Sequence, residues 1–175
     1  LDILARKQNI RLLETGRLYK SDRGYDMKKV IGGLLMQTRN FPEPKKEIFQ
    51  KKVDYKKGCL GVVTNRLPNE KEIKDMVFAW KVNKHTKSNS VVFAVNESAM
   101  ACGVGQMSRV DSTLIAARKA GKRAIGCAMS SDAFFPFRDG VDEAAKAGIT
   151  SIIQPGGSIK DEEAIEAANQ HNIAM

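Results

Sequence analysis

Residues 124–158 read AIGCAMSSDAFFPFRDGVDEAAKAGITSIIQPGGS, and their rhythm decides the fold. Residues 124–129 form a short apolar run of the kind a buried strand needs. Residues 139–147 suit a short helix, which Gly148 closes. Residues 149–153 are a second apolar run, ended by Pro155, Gly156 and Gly157. Strand, helix and strand in succession predict a parallel or mixed sheet with helices packed on it.

The alternation extends in both directions. Downstream, 161–170 reads as a helix, and 172–175 begins another strand. Upstream, a strand at 99–104 runs into glycines and then a helix. Ser108 and Asp111 give that helix an S-x-x-D start, and Gly121 ends it. A strand at 90–95 precedes it, and the turn at 96–98 makes the two strands a hairpin. Pro68 and Asn69 open a helix whose Ile73, Met76, Val77 and Trp80 recur on one face. Residues 40–58 are lysine-rich, carry Pro42 and Pro44, and read as a surface excursion. Before them, 10–13 and 30–37 read as strands around a polar, turn-rich stretch at 19–26. The amphipathic start at 1–7 and the apolar finish read as a fragment or processed form of a longer protein.

Composition narrows the class. At 175 residues the chain can bury a real core as one domain or one lobe. It has no apolar run long enough to span a bilayer and no secretory signal pattern, so no membrane partner is expected. Cys59, Cys102 and Cys127 form no C-x-x-C pair, which indicates neither a disulfide framework nor a cysteine zinc site. Free thiols fit a reducing cytoplasm. The net charge of +9 favours anionic partners, much of it from Lys45, Lys46, Lys51, Lys52, Lys56 and Lys57. Such a run is more often a solvated surface than a site.

Four constellations could carry chemistry. SDAFFPFRDG at 131–140 sets Phe134, Phe135, Pro136 and Phe137 between Asp132 and Asp139. Pro136 removes a backbone donor, so the segment is a loop. An apolar loop flanked by carboxylates suits a flat, partly polar ligand; a loop that merely plugs the core would read the same way. TKSNS at 86–90, if extended, places Thr86, Ser88 and Ser90 on one face. Those hydroxyls with Asp132 could ligate a hard cation, and Asn89 suits an amide or heterocycle edge. A polar edge strand is the plainer alternative. Gly103, Gly105 and Ser108 imitate a G-x-G-x-x-G/A turn, with Arg109 beside it for an anion, but no acidic residue follows on 124–129. Lys84-His85 lacks a second ligand, so His85 reads as a cap on the preceding helix.

Taken together, RLLE from Arg11, GGLLMQTR from Gly32, KHTKSNSVVFA from Lys84, GQMSRVDS from Gly105, SDAFFPFRDG and AGITSIIQPGGS from Ala147 resemble one family. It is the transformylase part of the bifunctional purine-biosynthesis enzymes that join AICAR formyltransferase to IMP cyclohydrolase. The resemblance implies a cytidine-deaminase-like α/β fold, a mixed sheet with helices on both faces and no zinc. Residues 1–175 would be the later lobe of the transformylase domain. The cyclohydrolase domain, the upstream lobe with its own Lys-His pair, and a final Arg- and His-rich segment would lie outside it. The implied co-substrate is 10-formyltetrahydrofolate, whose formyl group passes to the 5-amino group of AICAR. By motif, Asn89 would contact AICAR and the transferring group. Arg109 would sit near the folate, Phe134, Pro136 and Phe137 would pack on it, Asp139 would bond its ring edge, and Ser158 would line the pocket. A monovalent cation, potassium, would map to Thr86, Ser88, Ser90 and Asp132. Arg138 would point away or pair with an acid. A cytoplasmic homodimer is implied for the whole enzyme. Ala101 stands where the family usually has glycine.

Two rival functions follow from single features. A nucleic-acid-binding module would use the +9 charge, but it needs aromatics among the lysines, where only Phe49 and Tyr55 lie. A dinucleotide-binding domain would use the Gly103–Gly105 turn.

Overall fold

The computed structural model describes residues 2–7, 9–16, 24–39, 44–58 and 60–175. Residues 17–23, Pro42 and Cys59, on which parts of the sequence reading fall, lie outside them. The chain forms two compact units, Leu1–Phe41 and Pro42–Met175.

The first unit holds a short helix, α1 (Asp2–Ala5), and a hairpin of β1 (Tyr25–Val30) and β2 (Gly33–Thr38). Two corrections belong here. Residues 10–13 are not a strand, and 30–37 is not one strand but the turn and second arm of a hairpin. Val30 pairs with Gly33, so Ile31 and Gly32 alone make the turn. Gly32 has φ +82, a conformation open to glycine, which is why the apolar run folds back on itself there.

The second unit is built on a four-stranded sheet in the order β4-β3-β5-β6, with β3 Val91–Val95, β4 Ser98–Gly103, β5 Ala128–Ser131 and β6 Ser151–Ile153. Strand β3 is antiparallel to β4 and β5, and β5 is parallel to β6, so the sheet is mixed. Its helices are α2 (Glu70–Asn83), α3 (Arg109–Ala120), α4 (Asp139–Ala147) and α5 (Asp161–Gln170).

Strand alternation divides the core into two layers. Val91, Phe93, Met129 and Ile152 pack with Ala116, Val141, Ala144 and Ala164 from α3, α4 and α5. Val92, Ala94, Ala128 and Ile153 face the other way, toward Met76 and Ala79 of α2. Helices therefore cover both faces, as expected. Helix α2 begins with a full capping box, Asn69 accepting from Glu72 N and Glu72 reaching back to Asn69 N.

The expected strand at 124–129 starts four residues late. Residues Gly121–Ala124 form a 3-10 turn, and Gly126 has φ +79, which interrupts extended backbone until Ala128. Ile125 is accordingly exposed. The lysine-rich excursion contains two 3-10 turns, Lys46–Gln50 and Tyr55–Lys57, pinned by the buried Phe49.

Candidate functional site

The register determines which segments meet. Val91, at the start of β3, pairs with Gly103 at the end of β4 and with Ser131 at the end of β5. Strand β6 runs parallel to β5. The segments 86–90, 104–109, 132–139 and 154–158 thus emerge at one edge of the sheet, the carboxyl edge of its parallel pair. Ligands of open α/β sheets gather at such an edge. The Phe135 amide donates to Gln154 Oε1 at 3.3 Å, which ties the loop after β5 to the loop after β6.

Arg109 organises the polar centre. It is the first residue of α3, yet it is buried. Its guanidinium pairs with Asp132 and donates to Asn89 Oδ1 at 3.1 Å and to the Ser90 carbonyl at 3.2 Å. Asp132 also accepts from Ser88 Oγ and, at 3.1 Å, from the Ser90 amide. Burial opposes ionisation of Asp132. Hydrogen bonds from Ser88, Ser90 and Arg109, with the charge of Arg109, outweigh it and hold its carboxyl below the usual value. The Asn89 amide donates to the Gln106 and Met107 carbonyls at 3.0 and 3.1 Å. Asn89 therefore fixes the turn that delivers Arg109.

Residues 86–90 are not the extended segment expected; they form bends between α2 and β3. Thr86 reaches Asp132 only through Ser90. Its Oγ1 lies 2.6 Å from Ser90 Oγ and 2.8 Å from Asn83 Oδ1, and Ser90 donates to the same Asn83 oxygen at 2.7 Å. Asn83 in turn donates to Ser130 at 3.2 Å. The sequence reading missed Asn83, Ser130 and Gln154, since a helix-ending Asn, a Ser in a strand and a Gln after one carry no signal alone. The Ser88 and Ser90 hydroxyls give their protons to Asp132 and Asn83 and keep oxygen lone pairs, while Arg109 matches the charge of Asp132. Among the described residues, no group of three or more His, Cys, Asp or Glu could hold a metal ion.

The glycine turn has a different task from the one its motif suggests. A Cβ on Gly103 would lie 1.8 Å from the Ser112 carbonyl oxygen, so this glycine lets α3 press on β4. Gly105 N donates to the Lys87 carbonyl at 2.8 Å, and Gln106 N to Asn89 at 3.2 Å. Those amides are therefore not free for an anion, and Arg109 points inward.

In the aromatic loop, Phe135 is fully buried, Phe134 and Phe137 are exposed, and Pro136 is half-buried. Gly140 lets α4 close on Phe135: an added Cβ would lie 2.8 Å from its ring and 3.8 Å from Arg109 Cγ. Asp139 does not turn inward. It is exposed at the start of α4, where its carboxylate accepts from Gly140 N at 2.7 Å. Arg138 pairs with an acid as expected: its Nε lies 2.8 Å from Asp142. His171 meets the same carboxylate at 2.8 Å. Hydrogen bonds from Arg138, against a little burial and with help from His171, pull Asp142 down to about 2. Ser158 is half-buried and accepts from Lys160 N at 3.0 Å. His85 is exposed. A cavity of about 280 Å³ lies beside β6, lined by Phe49, Met76, Ile153 and Met175 and by Gln154 and Gly157 of the loop after β6 among others.

Fold and site define an α/β domain with helices on both faces of its sheet, whose loops converge on a polar, aromatic-flanked edge. The family model for the AICARFT/IMPCHase bienzyme matches residues 1–119. The bifunctional purine biosynthesis protein PurH of Buchnera aphidicola subsp. Acyrthosiphon pisum (strain Tuc7) is 51% identical over 176 residues, covering 99% of this chain and 31% of that protein. PurH of Buchnera aphidicola subsp. Schizaphis graminum (strain Sg) is 49% identical over 177 residues, covering 99% and 32%. The chain belongs to the AICARFT/IMPCHase bienzyme family, and it spans about a third of the length of these relatives.

Proposed function

We propose that this chain carries the folate-binding and substrate-orienting part of a formyltransferase that uses 10-formyltetrahydrofolate and AICAR in purine biosynthesis. The observation that carries the reading is the network of Asn89, Arg109 and Asp132, set at the same sheet edge as the loop bearing the exposed Phe134 and Phe137. In this reading the chain is a cytidine-deaminase-like lobe of a cytoplasmic, homodimeric enzyme that is also an IMP cyclohydrolase.

The AICAR amine is a poor nucleophile, because its electron pair is delocalised into the ring and carboxamide. It must be held against the formyl carbon. Attack forms a tetrahedral oxyanion; the bond from carbon to N10 of the folate then breaks, and N10 takes up a proton. A protein assists by orientation, by proton transfer and by stabilising the oxyanion. Asn89 Oδ1 uses one lone pair on Arg109 and keeps another that can accept from the amine or carboxamide. Arg109 and Asp132 keep that amide oriented. Phe134, Pro136 and Phe137 offer apolar surface to the folate ring, and Asp139 and Ser158 offer it polar partners.

The rivals are weaker on specific grounds. Phe49 is buried and unavailable for stacking a base, and the Gly105 and Gln106 amides at the glycine turn are already bonded. The test is titration of the full gene product with 10-formylfolate, labelled RNA and NADH. Binding of the folate alone, with formyl-AICAR formed in the complete assay, is the expected result. Binding of RNA or NADH without folate would sink the reading.

A further inference from the structure

Asn83, the last residue of α2, is only 3% exposed, and its side-chain amide is bonded at both ends. Its Nδ2 donates to Ser130 Oγ in β5 at 3.2 Å. Its Oδ1 accepts from Ser90 Oγ at 2.7 Å and lies 2.8 Å from Thr86 Oγ1. Its carbonyl accepts from the Thr86 amide at 2.9 Å. One amide thus faces two ways: the nitrogen holds β5, and the oxygen holds the bend at 86–90. Ser90 is fully buried, and its backbone carries the contact onward. Its carbonyl accepts from Arg109 and from the Asp132 amide, each at 3.2 Å, and its own amide donates to Asp132 Oδ1 at 3.1 Å. Asn89 is the residue immediately before it, and Arg109 bonds both.

We infer that Asn83 is a positioning residue for Asn89, acting through Ser90, an inference that rests on the formyltransferase reading. Residues 86–90 are bends, so no strand ladder fixes them, and side-chain bonds must do so. An asparagine suits this place because one rigid amide offers an acceptor and a donor at a set separation. The acceptor anchors the bend, and the donor ties the same amide to a central strand that cannot shift. At this depth water does not replace a lost partner, so removing the amide leaves the Ser90 and Ser130 hydroxyls to find new ones. The bend then slides, and Asn89 slides with it. Misplacement of a reacting group by about 1 Å costs up to about a hundredfold in rate, so turnover registers a shift too small to unfold the chain.

The test is a double-mutant cycle on turnover in the full gene product, with 10-formyltetrahydrofolate and AICAR as substrates. Asn83→Leu keeps much of the volume and removes both polar atoms; it should lower kcat about tenfold. Added to Asn89→Ala, it should lower kcat by less than about twofold more, because the residue it positions is gone and the two changes are coupled. A merely structural role would give the same loss in both backgrounds. That result, or wild-type kcat in Asn83→Leu, would overturn the inference and leave the formyltransferase reading standing. A wild-type protein that forms no formyl-AICAR would overturn both. If Asn83→Leu does not fold by circular dichroism, Ser90→Ala decides, since it removes only the hydroxyl that Asn83 holds. A loss seen with Asn89 present and absent without it supports the role of Asn83; equal losses, or none, refute it.

Discussion

Arg109 and Asp132 form a charged pair at the sheet edge, and their side chains are only 6% and 15% exposed. Breaking such a pair from one side leaves a charge without compensation. Arg109→Ala is therefore expected to cost about 3–5 kcal/mol in urea denaturation. The pair also gives a pH signature. Asp132 is depressed in the folded state, so its contribution is complete above the unfolded carboxyl value of about 4 and fades as pH falls through the lower folded value. The stability gap between wild type and Asp132→Asn should be widest at neutral pH and close in acid; a gap that widens below pH ~4 would contradict the pairing. Asn89 was legible as a polar contact residue, but its second duty was not. Because it bonds Gln106, Met107 and Arg109, Asn89→Ala should lower stability by about 2 kcal/mol and, in the full gene product, turnover by about a hundredfold. Wild-type turnover in the folded variant would remove it from the site.

At the scale of elements, the helices were the most legible part. Asn69, Ser108, Gly121 and Gly148 punctuate α2, α3 and α4 where side-chain caps and left-handed turns require them. Two of the misreadings share one cause. Residues 124–127 and 30–33 are apolar enough for strands, but Gly126 and Gly32 adopt positive φ, and a glycine does not announce its conformation. The hydroxyls of 86–90 were drawn on one face by strand periodicity. Contacts with the distant Asp132, absent from any local pattern, and with Asn83 at the end of α2 bring them together. Gly103 was legible as a glycine after a strand, though its reason was not. Gly103→Ala must push β4 away from α3, since the new methyl would overlap the Ser112 carbonyl. A loss of about 3 kcal/mol or more is expected in thermal unfolding, with Arg109 and Asn89 displaced as a consequence. A wild-type melting temperature would show that the two elements are not in contact as described.

At the scale of the molecule, the described residues around Asn89 hold one another in place but offer no agent for proton transfer among them. Asp132 is held ionised beside Arg109, His85 is exposed, and His171 is engaged with Asp142 between α4 and α5. None of these is a general acid or base beside Asn89 that would serve near neutral pH. Formyl transfer needs a proton to leave the amine and another to reach N10. The purified 175-residue chain should therefore form no measurable formyl-AICAR from AICAR and 10-formyltetrahydrofolate, even where it binds the folate. The same chain should be a stable folding unit over its second part, because residues 62–66 tie the last residues to the sheet. Val63 N donates to the Met175 carbonyl at 2.9 Å, and Met175 N to Thr64 at 2.8 Å. Arg66 grips Glu72 through two bonds of 2.8 Å and also donates to the carbonyls of Asn172 and Thr150. This one guanidinium joins the start of α2, the approach to β6 and the end of the chain. Arg66→Met keeps much of the side-chain volume but leaves Glu72 buried without its cation, at a cost of about 3 kcal/mol. Hydrogen exchange should then speed up at Ala174 and Met175 while β3 and β5 stay protected. Turnover by the 175-residue chain would show that proton transfer has an agent within it, and uniform loss of protection across the sheet in Arg66→Met would show that these ties hold the whole core and not its edge.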